Sequence, residues 1–232
     1  MWFRYPSTTR FSLTGISTSF RSGELTLVRG PNGAGKTTLL KVAGLVYRPS
    51  AGRVVVDGED FWSLDENRRL VRRREVVYVH ERPVLIRGRV LDNVVYGLRL
   101  RGVGGSGAVE LCREVMEELQ LWELRDVDVR KLSAGQAQLV AVARALVLEP
   151  KLIYLDEPLA HLDEERRLLL LKTLERIRRR GAGVVVASHQ DLEGLGVDRV
   201  VVLSDGRLVR ELYSGDQLHG SLNQLPTGGS RP

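Results

Sequence analysis

The chain has 232 residues, 43% hydrophobic and 28% charged, with a formal net charge of +6 and a pI near 9.8. This is the composition of an ordinary globular chain with one core, and no apolar run approaches the ~18–20 residues that span a bilayer. The single cysteine, Cys112, excludes an internal disulfide and a thiolate metal site.

The positive balance suits a nucleic acid or an anionic surface. The basic residues, however, fall in short runs at Arg68-Arg69, Arg72-Arg73-Arg74 and Arg178-Arg179-Arg180. No aromatic platform is interleaved with them, as single-strand binders require. Nucleic acid is therefore not expected as a partner. The start, Met1-Trp2-Phe3-Arg4-Tyr5-Pro6, lacks the charged and apolar regions of a signal peptide. The chain is expected on the cytoplasmic side of the membrane, touching it only through a partner.

In chain order, residues 1–29 read as short strands with Gly23 in a turn. Leu25-Thr26-Leu27-Val28 is a buried strand, and Leu39 to Leu45 a helix. Between them lies Gly30-Pro31-Asn32-Gly33-Ala34-Gly35-Lys36-Thr37-Thr38, which fits G-x-x-x-x-G-K-[ST]. Glycines there let successive N–H groups point inward as a nest for anionic oxygens, and the following helix aims its positive end at the same place. Lys36 is expected on the β- and γ-phosphates of a nucleoside triphosphate, and the Thr37 hydroxyl on Mg²⁺.

Arg53 to Gly58 reads as a strand ending in a hairpin signal, and Val76-Val77-Tyr78-Val79 as a buried strand. Residues 90–107 are helix-like and end in a glycine-rich break. Val109 to Leu121 follows as an amphipathic helix, and Ala137 to Leu148 as a buried one. Leu152-Ile153-Tyr154-Leu155 is a strand, Glu164 to Arg180 a helix, and Val184 to Ala187 a core strand. Arg199 to Leu212 is a hairpin around Asp205-Gly206. Strands alternating with helices predict an α/β fold of the P-loop NTPase type. A mainly parallel sheet forms its core, joined by an antiparallel β subdomain and a helical subdomain over about 83–148. The domain is expected to span 1–215, with a polar, fraying tail over 216–232.

Three further stretches carry chemistry. Asp156 and Glu157 end an apolar strand, at the edge where α/β sheets bind ligands. Asp156 can hold Mg²⁺, and Glu157 can polarise a water for attack on a γ-phosphate. Ser133 and Gln136 have capping-box spacing before the buried helix. They read either as a plain cap or as a second helix N-terminus that holds phosphate. His189 follows the strand ending at Ala187, at the edge where Asp156 and Glu157 emerge, and is a candidate γ-phosphate contact.

With these motifs in this order, the chain resembles the ATP-binding subunit of an ABC transporter over roughly residues 1–215. The resemblance implies a Walker A motif at Gly30–Thr38, including Asn32, Gly33, Ala34, Gly35, Lys36, Thr37 and Thr38. It implies a signature loop at Leu132–Gln136, Walker B at Leu152–Asp156 with Glu157 as catalytic glutamate, a D-loop at Leu159–Asp163 and a switch histidine at His189. Tyr5 is similar to the family's adenine-stacking aromatic, with Phe11 as fallback; a tyrosine filling the core is the other reading.

By the same resemblance, two such subunits pair head to tail around two ATP molecules. Ser133 and Gly135 of one would meet the γ-phosphate on the other's P-loop. Closure and hydrolysis would then drive separate membrane permease subunits. The chain departs from the family pattern at Ala134, at Glu81 in place of the Q-loop glutamine, at Ala160 in the D-loop and at Gln190 after the histidine. Glu81 can still face Mg²⁺. These departures suggest slow hydrolysis or pairing with a standard partner. The stretch from Arg82 to Gly102 looks like importers of oxyanions such as tungstate, molybdate or phosphate, and Phe3-Arg4-Tyr5-Pro6 like the vitamin and metal-ion group. The alternatives are a soluble ABC-type ATPase, as in iron–sulfur assembly, and a chromosome or repair ATPase. The latter inserts long coiled coils between P-loop and signature, and this chain has no heptads there.

Overall fold

The computed structural model describes residues 1–189, 192 and 195–214. Gln190 and the 216–232 tail lie outside the described residues. The core is a six-stranded sheet. Its strands are β1 (Leu25–Arg29), β4 (Val76–Val79), β5 (Leu152–Asp156), β6 (Gly183–Ala187), β7 (Arg199–Ser204) and β8 (Arg207–Tyr213), in the order β4-β5-β6-β1-β7-β8. All neighbours are parallel except the β7–β8 hairpin. A two-residue pair, β2 (Val55–Val56) and β3 (Glu59–Asp60), is antiparallel around Asp57-Gly58.

Period-two alternation divides the central strands between two cores. Leu25, Leu27, Ile153, Leu155, Val184, Val186, Val200 and Val202 face one side. That side is covered by α3 (Val90–Leu100), α4 (Gly105–Glu118), α5 (Ala134–Leu146) and α6 (Glu164–Arg179). Val28, Tyr154, Val185, Ala187, Val201 and Leu203 face the other, against α1 (Lys36–Ala43) and Phe3, Leu13 and Ile16. A strand buried on both faces needs a continuous apolar run, which is what Val184 to Ala187 supplies. Each fully buried Leu or Val contributes about 1.5–3 kcal/mol.

Several local expectations are corrected. Residues 1–24 form single bridges, Trp2 to Ala51 and Phe3 to Leu13, rather than strands. The helix expected over 90–107 stops at Leu100, with Gly102 at φ 82°. Gly105-Ser106-Gly107 are not a break but the first turn of α4, whose Ala108, Cys112 and Met116 lie on one buried line. The buried helix starts earlier than expected, at Ala134. Finally, α2 (Glu66–Arg74) has no counterpart in the apolar pattern, because none of its residues is buried. It is held by Arg72 on Asp57, Glu59 and Glu75, and by Arg73 over the Phe61 and Trp62 rings.

Candidate functional site

The site lies along the C-terminal edge of the parallel strands. β1 ends at Arg29 and the chain turns through Gly30 into α1. Gly30 sits at φ 148°, and a Cβ there would fall 2.2 Å from the Leu203 carbonyl oxygen. Gly35, the N-cap of α1, sits at φ 99°, and its Cβ would meet Leu13 and the Ser12 carbonyl at 2.9 Å. Only glycine fits either position. The loop is braced from behind by the β7–β8 turn, where Gly206 N donates to Ala34 O at 3.0 Å. Asn32 and Gly33 are exposed at its rim, and Ala34 is buried beneath.

Within this cradle the Lys36 ammonium donates to the Gly30 and Pro31 carbonyls, at 2.8 and 3.3 Å. Its side chain is folded over the loop it follows, where an anion would draw it. Thr37 Oγ1 donates to Asp156 Oδ1 at 3.1 Å, joining α1 to the end of β5. Asp156 is only 1% exposed. A hydroxyl and a buried carboxylate side by side are hard oxygen ligands of the kind Mg²⁺ takes. The glycine cradle, Lys36 and this oxygen pair together fit a magnesium nucleotide.

One residue on, Glu157 has φ 44°, a left-handed backbone that costs a non-glycine residue about 1–2 kcal/mol. Its N–H donates to Ala187 O at 2.8 Å, which pins the turn to β6. Its Oε2 lies 3.0 Å from Nδ1 of His189, which follows β6 by two residues and is exposed. The sheet register therefore brings Lys36, Thr37, Asp156, Glu157 and His189 to one edge. Glu81, two residues past β4, is exposed at the same edge, since Val79 pairs with Leu155.

Of the remaining candidates, Tyr5 is the one hydrogen-bonded to the P-loop among the described residues. Tyr5 packs edge-to-face against Phe3 and Tyr47, with centroids 5.0 and 5.8 Å away, and its hydroxyl lies 3.1 Å from Thr38 Oγ1. Phe11 is 43% exposed beneath the Arg4 guanidinium. Ser133 and Gln136 complete a reciprocal capping box, Gln136 N to Ser133 Oγ at 3.2 Å and Ser133 N to Gln136 Oε1 at 2.9 Å. Gly135 abuts the loop after β5, where a Cβ would fall 2.8 Å from His161 O. Asp163 is the N-cap of α6, accepting from Arg166 N at 2.9 Å and pairing with the Arg166 guanidinium. Among the described residues, no hydrogen bond joins the Ser133 loop to this chain's own P-loop.

The sequence reading missed Tyr78. Its hydroxyl donates to Asp156 Oδ2 at 3.0 Å, so both oxygens of that carboxylate are engaged. Burial, then the adjacent carboxylate, push the Tyr78 phenol far above its ordinary pKa. No local motif marks it; the signal is a tyrosine on the strand that pairs with the one ending in Asp156.

A family model described as ABC transporter matches residues 13–160. The lipoprotein-releasing system ATP-binding protein LolD of Hyphomonas neptunium is 38% identical over 200 residues, covering 85% of this chain and 88% of that protein. The phosphate import ATP-binding protein PstB 2 of Natronomonas pharaonis is 35% identical over 207 residues, covering 85% and 73%. The dimeric ATP-binding cassette MJ0796, in a post-hydrolysis state bound to ADP and Pi, has the same fold with a TM-score of 0.84 at 26% identity. The match covers 92% of this chain and 95% of that one. The chain therefore belongs to the ABC transporter family and is one of its ATP-binding, ATP-hydrolysing subunits.

Proposed function

We propose that this subunit binds ATP with Mg²⁺ between two facing copies, or between itself and a similar subunit, and drives a solute through separate membrane permease subunits. The observation that carries this reading is the edge cluster in which Thr37 and Asp156 sit beside Glu157 and His189. Lys36 and the loop N–H groups bind and orient the phosphates. Thr37 and Asp156 would hold Mg²⁺, which when bound neutralises charge developing on the phosphate oxygens. Glu157 accepts a proton from a water placed against the γ-phosphate, and His189 orients that carboxylate. Tyr5 or exposed Phe11 offers an aromatic face for adenine.

Ser133 is bonded within its own capping box and Gly135 abuts the His161 turn; among the described residues neither is hydrogen-bonded to the Lys36 loop. That placement supports a role toward a second subunit's nucleotide. MJ0796 is a dimeric structure bound to ADP and Pi, which supports pairing of a related chain.

The permease side is supported by the 81–93 surface. Val84 is 75% exposed and Ile86 is also exposed, while buried Asn93 fixes the loop through Ile86 N, Ile86 O and Arg89 O. An ordered loop with apolar tips is a fitting seat for a permease helix. Among the described residues no helix is long and apolar enough to cross a membrane. A permease seat on the 81–93 surface would hold the subunit peripherally on the cytoplasmic face. Within transport the reading we favour is an importer of an oxyanion or of a metal ion or vitamin; the phosphate importer PstB 2 is a relative, as is the lipoprotein-releasing LolD.

Gel filtration of Glu157→Gln with and without ATP tests the pairing. A shift to dimer size is expected, and an unshifted peak counts against self-association.

A further inference from the structure

The P-loop and the strand-end acids account for one oxygen of Asp156 and leave the other unexplained. Oδ1 accepts from Thr37, while Oδ2 accepts from Tyr78. We propose that Tyr78 is a positioning residue for the magnesium site, its phenol fixing the plane of the Asp156 carboxylate so that Oδ1 stays turned toward Thr37.

This rests on the reading that Thr37 and Asp156 hold Mg²⁺. The sheet supplies the geometry. Tyr78 on β4 is level with Tyr154 on β5, and Asp156 lies two residues further on the same face. Two residues of strand span about 6.6 Å, which matches the reach of a phenol. The ring is not free to leave. A Cβ on Gly44, the C-cap of α1, would fall 3.2 Å from Tyr78 Cβ, so the helix end closes against the base of the side chain. His80 lies edge-on to the ring, with centroids 6.0 Å apart.

The chemistry requires a donor there. A carboxylate shut away from water needs a hydrogen bond at each oxygen. With only one donor its plane can rock about the last side-chain torsion, which is broad for aspartate. Partners one shell out that orient a metal-binding carboxylate commonly change metal affinity by about 10–100-fold when removed. A phenol is protonated at neutral pH, and so is a donor to that oxygen.

The test uses the full chain in a Glu157→Gln background, with ATP bound and Mn²⁺ as the probe, read by its paramagnetic resonance signal. Four proteins are compared: that background alone, and with Tyr78→Phe, Tyr154→Phe or Asp156→Asn added. Tyr78→Phe is expected to weaken Mn²⁺ retention by about tenfold while ATP affinity in EDTA stays at the background level. Tyr154→Phe, which removes a hydroxyl from the same layer, should change neither. Retention within twofold of background in Tyr78→Phe, with Asp156→Asn weakened, overturns the role of Tyr78 alone. Retention unchanged in Asp156→Asn overturns the magnesium reading beneath it. Loss of ATP affinity in EDTA by Tyr78→Phe would show that the pocket itself had collapsed, and would also count against the proposal.

Discussion

Glu157 Oε2 lies 3.0 Å from Nδ1 of His189, and the two residues leave adjacent parallel strands, β5 and β6. The carboxylate thus has one oxygen tied to the imidazole, which leaves the other to meet a water. Replacing Glu157 by Gln keeps the size and removes the proposed base. Turnover is expected to fall by about 10²–10⁴-fold, the usual worth of a general base. ATP binding should stay close to that of the parent, because Glu157 makes no hydrogen bond to the P-loop. Steady-state phosphate release and a binding titration check both halves. Parental turnover in this variant would remove Glu157 from the base role.

Lys36 is the one P-loop side chain whose charge is directed into the loop, at 2.8 Å from Gly30 O. Lys36→Ala deletes the proposed charge-assisted donor to the phosphates, an interaction worth about 1.5–3 kcal/mol. ATP affinity should therefore fall by roughly tenfold to 150-fold, with the fold intact. Calorimetric titration paired with a thermal melt separates the two effects. A variant with unaltered affinity would mean that the loop N–H groups suffice alone.

Much of this site was legible because its parts are contiguous. Gly30 to Thr38, Asp156-Glu157 and His189 each follow an apolar strand, and a parallel sheet brings such strand ends to one edge. The Asp205-Gly206 turn was equally plain, though not its second task of bracing Ala34. What escaped was tertiary. Tyr78 and Asp156 are 78 residues apart and meet only through the β4–β5 register. Helix α2 has no apolar stripe to read, since ion pairs from β2–β3 hold it. The glycines opening α4 oppose helix propensity, and the buried line Ala108, Cys112 and Met116 overrides them.

Acid should weaken the fold partly through Glu175. Hydrogen bonds from Arg178, against the opposing effect of burial, hold its carboxyl down to about 2. In the unfolded chain the same group titrates near ~4.3. The unfolded state therefore binds more protons between those values, and stability rises with pH there. The contribution is complete above the unfolded value and drains away as pH falls toward about 2. Glu175→Gln is expected to cost about 1–2 kcal/mol at neutral pH, the range of a partly exposed network. The gap to the parent should close as the pH approaches 2. Urea midpoints across that range give the measurement. A gap independent of pH would assign the loss to packing instead.

Gly135 decides how the proposed signature loop sits against the segment that follows Glu157. A Cβ there would lie 2.8 Å from the His161 carbonyl oxygen and 3.3 Å from Leu162 Cδ2. The first neighbour is backbone and cannot swing aside. His161 itself already has φ 66°, and Ala160 N donates back to Glu157 O at 3.1 Å, so the turn is tightly determined. Gly135→Ala must push either the start of α5 or this turn. Overpacking of that kind costs about 1–3 kcal/mol. The variant should stay folded, with a lower denaturation midpoint and a weaker ATP-driven shift to dimer in the Glu157→Gln background. Gln136→Ala is the contrast. It removes one arm of the capping box, costs about 1 kcal/mol, and leaves the His161 contact in place, so its dimer shift should persist. Parental stability and parental pairing in Gly135→Ala would mean that the His161 turn yields freely and transmits nothing between the strand-end acids and the signature loop.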